Sequence, residues 1–519
     1  MTTADTAALT PVRTPSRDTA NAERPTSRFA GLRMIDRRIT TIAFWALLVI
    51  GFGLRIMLTF TSAYTIDSDN AVVFLLAKHI SEGDITWFFW GQTYGGTMLE
   101  LLAGGAMVVF GPHVQVLSFV GVAFFAGATL LVRQIAISAF KDPVVGNVAG
   151  ILFWFSGYWT ARVGFSEPGF YGPSLMLGLL TIWLVLRGPA RKTYLQWALI
   201  GLFTGLALWQ SPMGIAMAAP AVVVLMVRHR SWRHYLVGAA AGIIGALPWL
   251  LLLTSGLTAI KRQTGGELVV RSFVTYFTRL VPAAFSVENQ VERFIFAFVC
   301  LLLLALLVVL TVRRRSLWLG TLLVSTVLVV IVIVVGVNIL LLGDSLRYSV
   351  FVLPALTISL AYLFTRIPFV SLLAMAWAVT FSFVQTATMF PTLHFTAEPT
   401  YTVGDIPGLG AYLEAHDITA AYGDYWLAYS LTAETNEQVT VATISLPRRY
   451  APYEAAAEAA PVATLILFQD SENDKAVQAS TTLPPSTRTI VDGYAMYTFA
   501  QPFDAYSYPW MLSTGIWHP

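Results

Sequence analysis

The sequence predicts an α-helical polytopic membrane protein, with about eleven transmembrane helices followed by a C-terminal soluble α/β domain. Three observations predict it. The chain is 56% hydrophobic and only 12% charged over 519 residues, with a mean hydropathy of +0.67, which is more apolar surface than a soluble fold needs. Apolar runs of roughly twenty residues, the length that crosses a bilayer core of about 30 Å as a helix, recur along most of it. After about Phe390 these runs stop, and residues 391–519 hold about fourteen acidic against four basic side chains, a net charge near −10. The formal charge of +3 averages two opposed regions and says little by itself.

Residues 1 to about 38 are rich in Thr, Ala, Pro and Arg and lack apolar periodicity, so a disordered tail is expected there. The first apolar run, about 40–60, is too long and too late for a signal peptide and has no small-residue cleavage site. Arg28, Arg33, Arg37 and Arg38 precede it. The positive-inside rule then puts the tail in the cytoplasm and the loop Tyr64–Glu100 outside.

Further apolar runs lie near 95–110, 114–132, 143–160, 172–187, 195–211, 212–228, 235–254, 294–312, 317–341, 348–365 and 367–390. Arg133 and Lys141 belong inside, which requires that 95–110 does not cross. That run is short, carries Glu100 and is glycine-rich, so it reads as a juxtamembrane or re-entrant segment. Arg187, Arg191 and Lys192, then Arg228, Arg230 and Arg233, then Arg313, Arg314 and Arg315, and finally Arg366 then all fall inside. The membrane domain is expected over 39–390, with the C-terminus outside. Loops 61–113, 161–171 and 255–293 and the Gly343–Arg347 turn share the outer side. Cys300, the sole cysteine, sits in an apolar run and can form no intrachain disulfide.

In 391–519 a helix-like stretch (Ile406–Ala415) leads into ITAAYG and DYWLAYSLTAET. The β-branched runs VTVATI, VATLILF and TRTIVDGYAMYTF follow, separated by Ala/Glu-rich stretches. This reads as a small extracytoplasmic α/β domain.

Chemistry concentrates in Tyr64–Glu100. The loop holds Asp67, Asp69, Glu82 and Asp84, the pair Lys78-His79, the aromatics Trp87, Phe88, Phe89, Trp90 and Tyr94, and Gly91, Gly95 and Gly96. Glu167, in a second outer loop, is pressed between two spans on the same side. Acids from separate loops converging over one cavity can supply a general base and an acceptor-orienting group, or share a divalent cation. The aromatics suit an interfacial belt or a platform for a bound ligand. No zinc motif, P-loop, dinucleotide fingerprint or Ser-His-Asp pattern occurs, and nucleic acid is not expected as a partner. A site on the outer side also faces away from the cytoplasmic nucleotide pool.

Asp69-Asn70-Ala71, with Ala77 and then Gly83, resembles the first-loop motif of the GT-C glycosyltransferases, the integral-membrane group that includes protein O-mannosyltransferases and lipid A aminoarabinose transferases. It departs from their Asp-Glu-Ala and following aromatic at Asn70 and Val73. Glu167-Pro168 resembles their second-loop acid-Pro step. Gly205–Ala221 resembles their Gly-Leu-Ala…Lys-Gly…Pro hairpin, with Gln210 where lysine is common. Asp344–Leu356 resembles their late Arg-Tyr…Pro motif. DYWLAYSLT resembles C-terminal domains attached to bacterial members. The likeness covers roughly 40–390, with four motifs in order and on one side.

The resemblance implies a polyprenyl-phosphate-linked sugar as donor and an acceptor glycan, glycolipid or protein at the outer face of a bacterial plasma membrane. Asp69 would be the general base, with Asp67 beside it, and Glu167 would position the acceptor. The donor phosphate asks for cations, and Arg347, Arg162, Arg55 and Lys78 are the candidates. Loop 255–293 adds Lys261, Arg262, Arg271 and Arg279. His79, Gln92, Tyr94, Glu100 and Tyr348 are candidate substrate contacts. The alternatives are a transporter or flippase of a lipid-linked or amphipathic substrate, which predicts inverted repeats and midplane acids, and a non-catalytic subunit whose acidic domain recruits a partner.

Overall fold

A computed structural model describes residues 27–64, 67–166, 169–188, 191–254, 266–337, 345–393, 406–445, 447–501 and 503–508. Helices come first. They are α1 (Ser27–Leu58), α2 (Ser68–Ser81), α3 (Met98–Phe110), α4 (Val114–Phe140), α5 (Pro143–Trp154), α6 (Tyr158–Phe165), α7 (Tyr171–Leu186), α8 (Tyr194–Gln210), α9 (Pro212–Arg228), α10 (Trp232–Gly245), α11 (Leu247–Thr254) and α12 (Gly266–Thr275). A π turn (Tyr276–Leu280) extends α12. Then come α13 (Gln290–Arg314), α14 (Leu317–Gly336), a 3-10 turn (Leu346–Phe351), α15 (Leu353–Phe364) and α16 (Val370–Met389).

Five of these, α1, α4, α13, α14 and α16, are long and apolar enough to cross a bilayer. The number is six if α10 and α11, bent by 71° at their junction, count as one. The shorter apolar helices α3, α5, α7, α9 and α15 lie between them in the chain. At 13 residues α3 is about 20 Å long, too short for a core of about 30 Å. The tail expected to be disordered to about residue 38 is helical from Ser27 onward. Within that stretch Asp36 is buried and its Oδ1 accepts from Ser371 Oγ of α16 at 2.6 Å, which ties this end of α1 to α16.

Small residues set the closest helix pair. A Cβ on Gly201 of α8 would lie 2.0 Å from Gly238 O of α10, and one on Gly205 2.1 Å from Gly242 O. Only bare backbone permits this approach, the usual device where helices pack without a hydrophobic gradient. At one end of the bundle Arg133 Nε donates to Asn147 Oδ1 (2.8 Å), and Asn147 Nδ2 donates to Thr41 Oγ1 (3.0 Å), linking α1, α4 and α5.

The C-terminal domain comprises α17 (Ile406–Ala415), β1 (Ala420–Gly423), α18 (Tyr425–Glu434), β2 (Thr440–Thr443), α19 (Ala451–Glu458), β3 (Thr464–Phe468), α20 (Glu472–Ala479), β4 (Ser486–Val491) and β5 (Tyr494–Phe499). The sheet order is β2-β1-β3-β5-β4, with β1 parallel to β2 and β3, and β5 antiparallel to β3 and β4. The β4–β5 hairpin turns at Asp492-Gly493, both at positive φ (48° and 87°), as a two-residue turn matching strand twist requires. Each β-branched run of the sequence supplies a strand. One buried apolar cluster runs from the helical bundle through α2 into this domain, reaching Leu409, Leu427, Val441 and Ile466. The two parts therefore share a core.

Candidate active site

The N-terminus of α2 is the centre of the site. Asp67 caps the helix, its Oδ1 accepting from Asn70 N at 2.9 Å. Every residue from Asn70 to Lys78 is buried, because α3 packs on one side of α2 and α18 on another. A helix apolar nearly all round suits that position. Asp69 lies in its first turn, where unpaired backbone N–H groups favour an anion.

Asp69 is held from two directions. Arg347, in the 3-10 turn before α15, places Nη2 3.1 Å from Asp69 Oδ2. Arg449, in the C-terminal domain just before α19, places Nη2 2.9 Å from Oδ1. The Tyr425 hydroxyl, at the first residue of α18, also donates to Oδ1. Arg449 is fixed in turn. Its Nε donates to Tyr425 Oη (2.7 Å), its backbone N donates to Tyr429 Oη (2.9 Å), and its guanidinium lies 4.7 Å from the Phe89 ring centre. Tyr425 and Tyr429 are one turn apart on α18, so one helix face grips both ends of the arginine. Arg449's side chain is 6% exposed, against 23% for Arg347.

Burial alone would raise the Asp69 pKa. Arg449 first, then Arg347, then the Tyr425 hydrogen bond outweigh it and hold the carboxyl far below the usual range. Burial and the Asp69 charge keep Tyr425 protonated well above the ordinary phenol range, so it stays a donor. Tyr94 borders the cluster. Burial, then Tyr348, push its hydroxyl up to about 12, against the pull of Arg449 and Arg347. The Arg347 guanidinium lies 5.5 Å from the Tyr171 ring centre, and Tyr348 meets that ring edge-on at 5.6 Å. The site is thus a carboxylate, two guanidinium groups and five phenols.

The loop after α2 is shaped to reach it. Phe89 N donates to Gly95 O (2.9 Å), Gly96 N to Gln210 O (2.9 Å), and Trp209 Nε1 to Trp87 O (2.8 Å), which ties the loop to the end of α8. Gly91, at φ +68°, runs so close to the C-terminal domain that a Cβ would sit 2.8 Å from Arg448 O.

A second cluster joins α2 to the same domain. Glu437 accepts from Lys78 Nζ, from Tyr453 Oη (2.6 Å) and from His79 Nε2 (2.7 Å). Asn436 and Glu437 both adopt left-handed φ (48° and 69°) in the turn that presents this carboxylate. Trp90 stacks on Tyr450 at 4.1 Å beside His79. Despite burial, His79, Lys78 and Tyr453 draw Glu437 down to about 2, and Glu437 first, with Asp84 and Glu82 behind it, raises His79 against its burial.

Of the residues singled out in the sequence, Asp69 and Arg347 are therefore in contact, with Tyr94 and Tyr348 around them. Lys78 and His79, expected to meet the donor, are bound to Glu437 at the domain junction. Asp67 serves as a helix cap. Arg162, on α6, lies 5.4 Å from the Trp159 ring centre. Arg55, on α1, has its guanidinium over the Trp154 ring at the end of α5, apart from the cluster. Gln92 has its side-chain oxygen buried in the loop, and Glu100 is buried in the first turn of α3. Glu167, Asp344, Lys261 and Arg262 lie outside the described residues. Both Asp69 oxygens face guanidinium groups. Among the described residues no group of three or more His, Cys, Asp or Glu could hold a metal, and Glu167, the acid named with Asp69 for a shared cation, lies outside them.

Arg449, Tyr425 and Glu437 are not among the residues singled out. The signal was faint: Arg448 and Arg449 are two of only four basic residues in the acidic tail, and Tyr425 belongs to DYWLAYSLT.

No family model matches the chain, and no curated protein is similar in sequence. Solved structures are similar in fold. ArnT from Cupriavidus metallidurans aligns in the apo state with a TM-score of 0.55 at 11% identity, over 88% of this chain and 98% of that one. The same protein bound to undecaprenyl phosphate aligns at 0.54 and 12%, over 88% and 97%. The Archaeoglobus fulgidus oligosaccharyltransferase aligns at 0.46 and 13%, over 81% and 67%. The chain is a multi-pass membrane protein with the fold of ArnT over 88% of its length.

Proposed function

We propose that this protein is a membrane glycosyltransferase that moves a sugar from a polyprenyl-phosphate donor to an acceptor hydroxyl on the extracytoplasmic side of a bacterial plasma membrane. The observation that carries the reading is the pairing of Asp69 with both Arg347 and Arg449. Two guanidinium groups converging on one point make a site for a phosphate, and without one they rest on the carboxylate. The ArnT fold, one of whose structures contains undecaprenyl phosphate, supports the same donor class.

The chemistry follows from competition. A phosphate brings more negative charge and more acceptor oxygens than Asp69. Once bound, it draws Arg347 and Arg449 off the carboxylate, whose pKa then rises toward the ordinary range, and Asp69 becomes a usable base only with donor in place. Asp69 takes the acceptor's proton, the acceptor oxygen bonds to the anomeric carbon with inversion, and the carbon–oxygen bond to phosphate breaks with its electron pair leaving on the polyprenyl phosphate. Each arginine aimed at that developing charge contributes about 3–4 kcal/mol. Tyr425 keeps its proton and orients Asp69.

The test is transfer of label from a panel of polyprenyl-phosphate sugars into envelope extract, with wild type and Asp69→Asn in lipid. Transfer by wild type alone supports the reading. Full activity in folded Asp69→Asn overturns the assignment of the base. Lipid movement across the bilayer without sugar transfer would favour the flippase alternative.

A further inference from the structure

A cavity of about 240 Å³ opens between α1, the α5–α6 turn and α16, away from the Asp69 cluster. Its walls are almost all hydrocarbon, including Leu54, Leu58, Phe155, Phe383 and Phe390, and no acidic side chain lines it. Its floor is not apolar. Arg55 is 7% exposed, with its guanidinium 3.4 Å from the Trp154 ring centre and Nη2 donating to Trp154 O. Arg55 Nη1 and Trp154 Nε1 are both buried with no hydrogen-bond partner. Two unsatisfied donors side by side, one of them charged, call for an acceptor that the described residues do not supply. Gly51 lets the Trp154 indole lie directly on α1 beside Arg55, since a Cβ there would lie 2.3 Å from Trp154 Nε1.

We propose that this groove binds an anionic membrane phospholipid, with the phosphate on Arg55 and Trp154 and an acyl chain along the apolar walls. Depth agrees. Arg55 is three residues before the end of α1, about 4.5 Å of helix rise, where an arginine reaches headgroup level. The mouth is open to lipid, with Phe383 52% and Met57 38% exposed. A polyprenyl phosphate has the same phosphate-on-hydrocarbon chemistry. None of the cavity's lining residues belongs to the Asp69 cluster, so a lipid held here does not present a sugar to Asp69. That separation favours the phospholipid.

The experiment compares wild type with Arg55→Gln and with Ala387→Trp, which fills the groove from α16 and leaves the Arg55–Trp154 contact in place. Lipids extracted from each purified protein are identified by mass spectrometry. Thermal midpoints are read in phosphatidylcholine nanodiscs with and without phosphatidylglycerol. Wild type should retain an anionic phospholipid and gain stability with phosphatidylglycerol, while both variants retain roughly tenfold less and lose that gain. Equal retention in all three proteins would mean general attraction to the bilayer and would overturn the site. Loss of polyprenyl phosphate rather than phospholipid would overturn the occupant. If Arg55→Gln does not fold, Ala387→Trp decides alone.

Discussion

Arg449 Nη2 lies 2.9 Å from Asp69 Oδ1, joining the first turn of α2 to a residue 380 positions later in the chain. The C-terminal domain thus contributes to the candidate site and does not simply cover it. Arg449 uses Nε on Tyr425 and Nη2 on Asp69 at once, a fork that only a guanidinium provides. Arg449→Ala should lower kcat about 10²–10³-fold at saturating donor. Arg449→Lys should recover little of it, because an ammonium cannot serve both partners from one plane. Wild-type kcat in the lysine variant would show that only charge is needed.

If phosphate draws the arginines off Asp69, the lipid product should inhibit by occupying them. Removing either Arg347 or Arg449 should weaken polyprenyl monophosphate binding by roughly 10–100-fold, the size of a lost charge-assisted hydrogen bond. Calorimetry on wild type, Arg347→Ala and Arg449→Ala measures this directly. Unchanged affinity in both variants would place the phosphate elsewhere.

The Lys78–Glu437–His79 cluster gives domain docking a pH dependence. His79 is raised in the folded protein, so its contribution is complete below its ordinary pKa near 6.5 and fades as pH rises through the folded value. Glu437, drawn down to about 2, contributes above its ordinary value near 4.3 and fades only as pH falls through the folded one. Docking should therefore be firmest near pH 5–6 and loosen toward alkaline pH. Hydrogen exchange of α18 and α19 at pH 5.5 and 8.5 reads it out, as conditions chosen about that window. His79→Gln should flatten the dependence. Glu437→Gln, which leaves Lys78 only the exposed Glu82 at 3.3 Å, should cost about 3 kcal/mol at pH 5.5 and less at pH 8.5, where the His79 charge no longer contributes.

Much of the architecture was legible because apolar periodicity is local. Each β-branched run became a strand, and the apolar runs correspond to helices. Asp69 and Arg347 stood out as charges bordering long apolar segments. What was not legible depends on residues far apart in sequence. Arg449 reads as an ordinary tail arginine until α18 lies against α2. Lys78 and Arg55 stand out as basic residues near the outer side, but the sequence does not show Glu437 beside the one or the Trp154 ring against the other. The buried place of Asp36 within α1 depends on Ser371, 335 residues away.

The loop glycines give the sharpest test of how the two domains meet. Gly91 and Gly83 both have positive φ, +68° and +102°. An alanine at Gly83 would meet nothing within 4 Å, so it costs only backbone strain, about 1 kcal/mol. An alanine at Gly91 would add a methyl 2.8 Å from Arg448 O and 2.9 Å from Arg449 Cα. Both contacts are backbone, so one segment must move, and the segment that moves carries Arg449. Gly91→Ala should therefore expose Arg449 and cut kcat about tenfold, the effect of misplacing a catalytic-site donor by a fraction of an ångström. Gly83→Ala should lose only the strain term, less stability than Gly91→Ala, while keeping wild-type kcat. Thermal midpoints and kcat for the pair separate the two effects. Equal kcat in both would mean that Arg449 tolerates displacement and that its contact with Asp69 is structural.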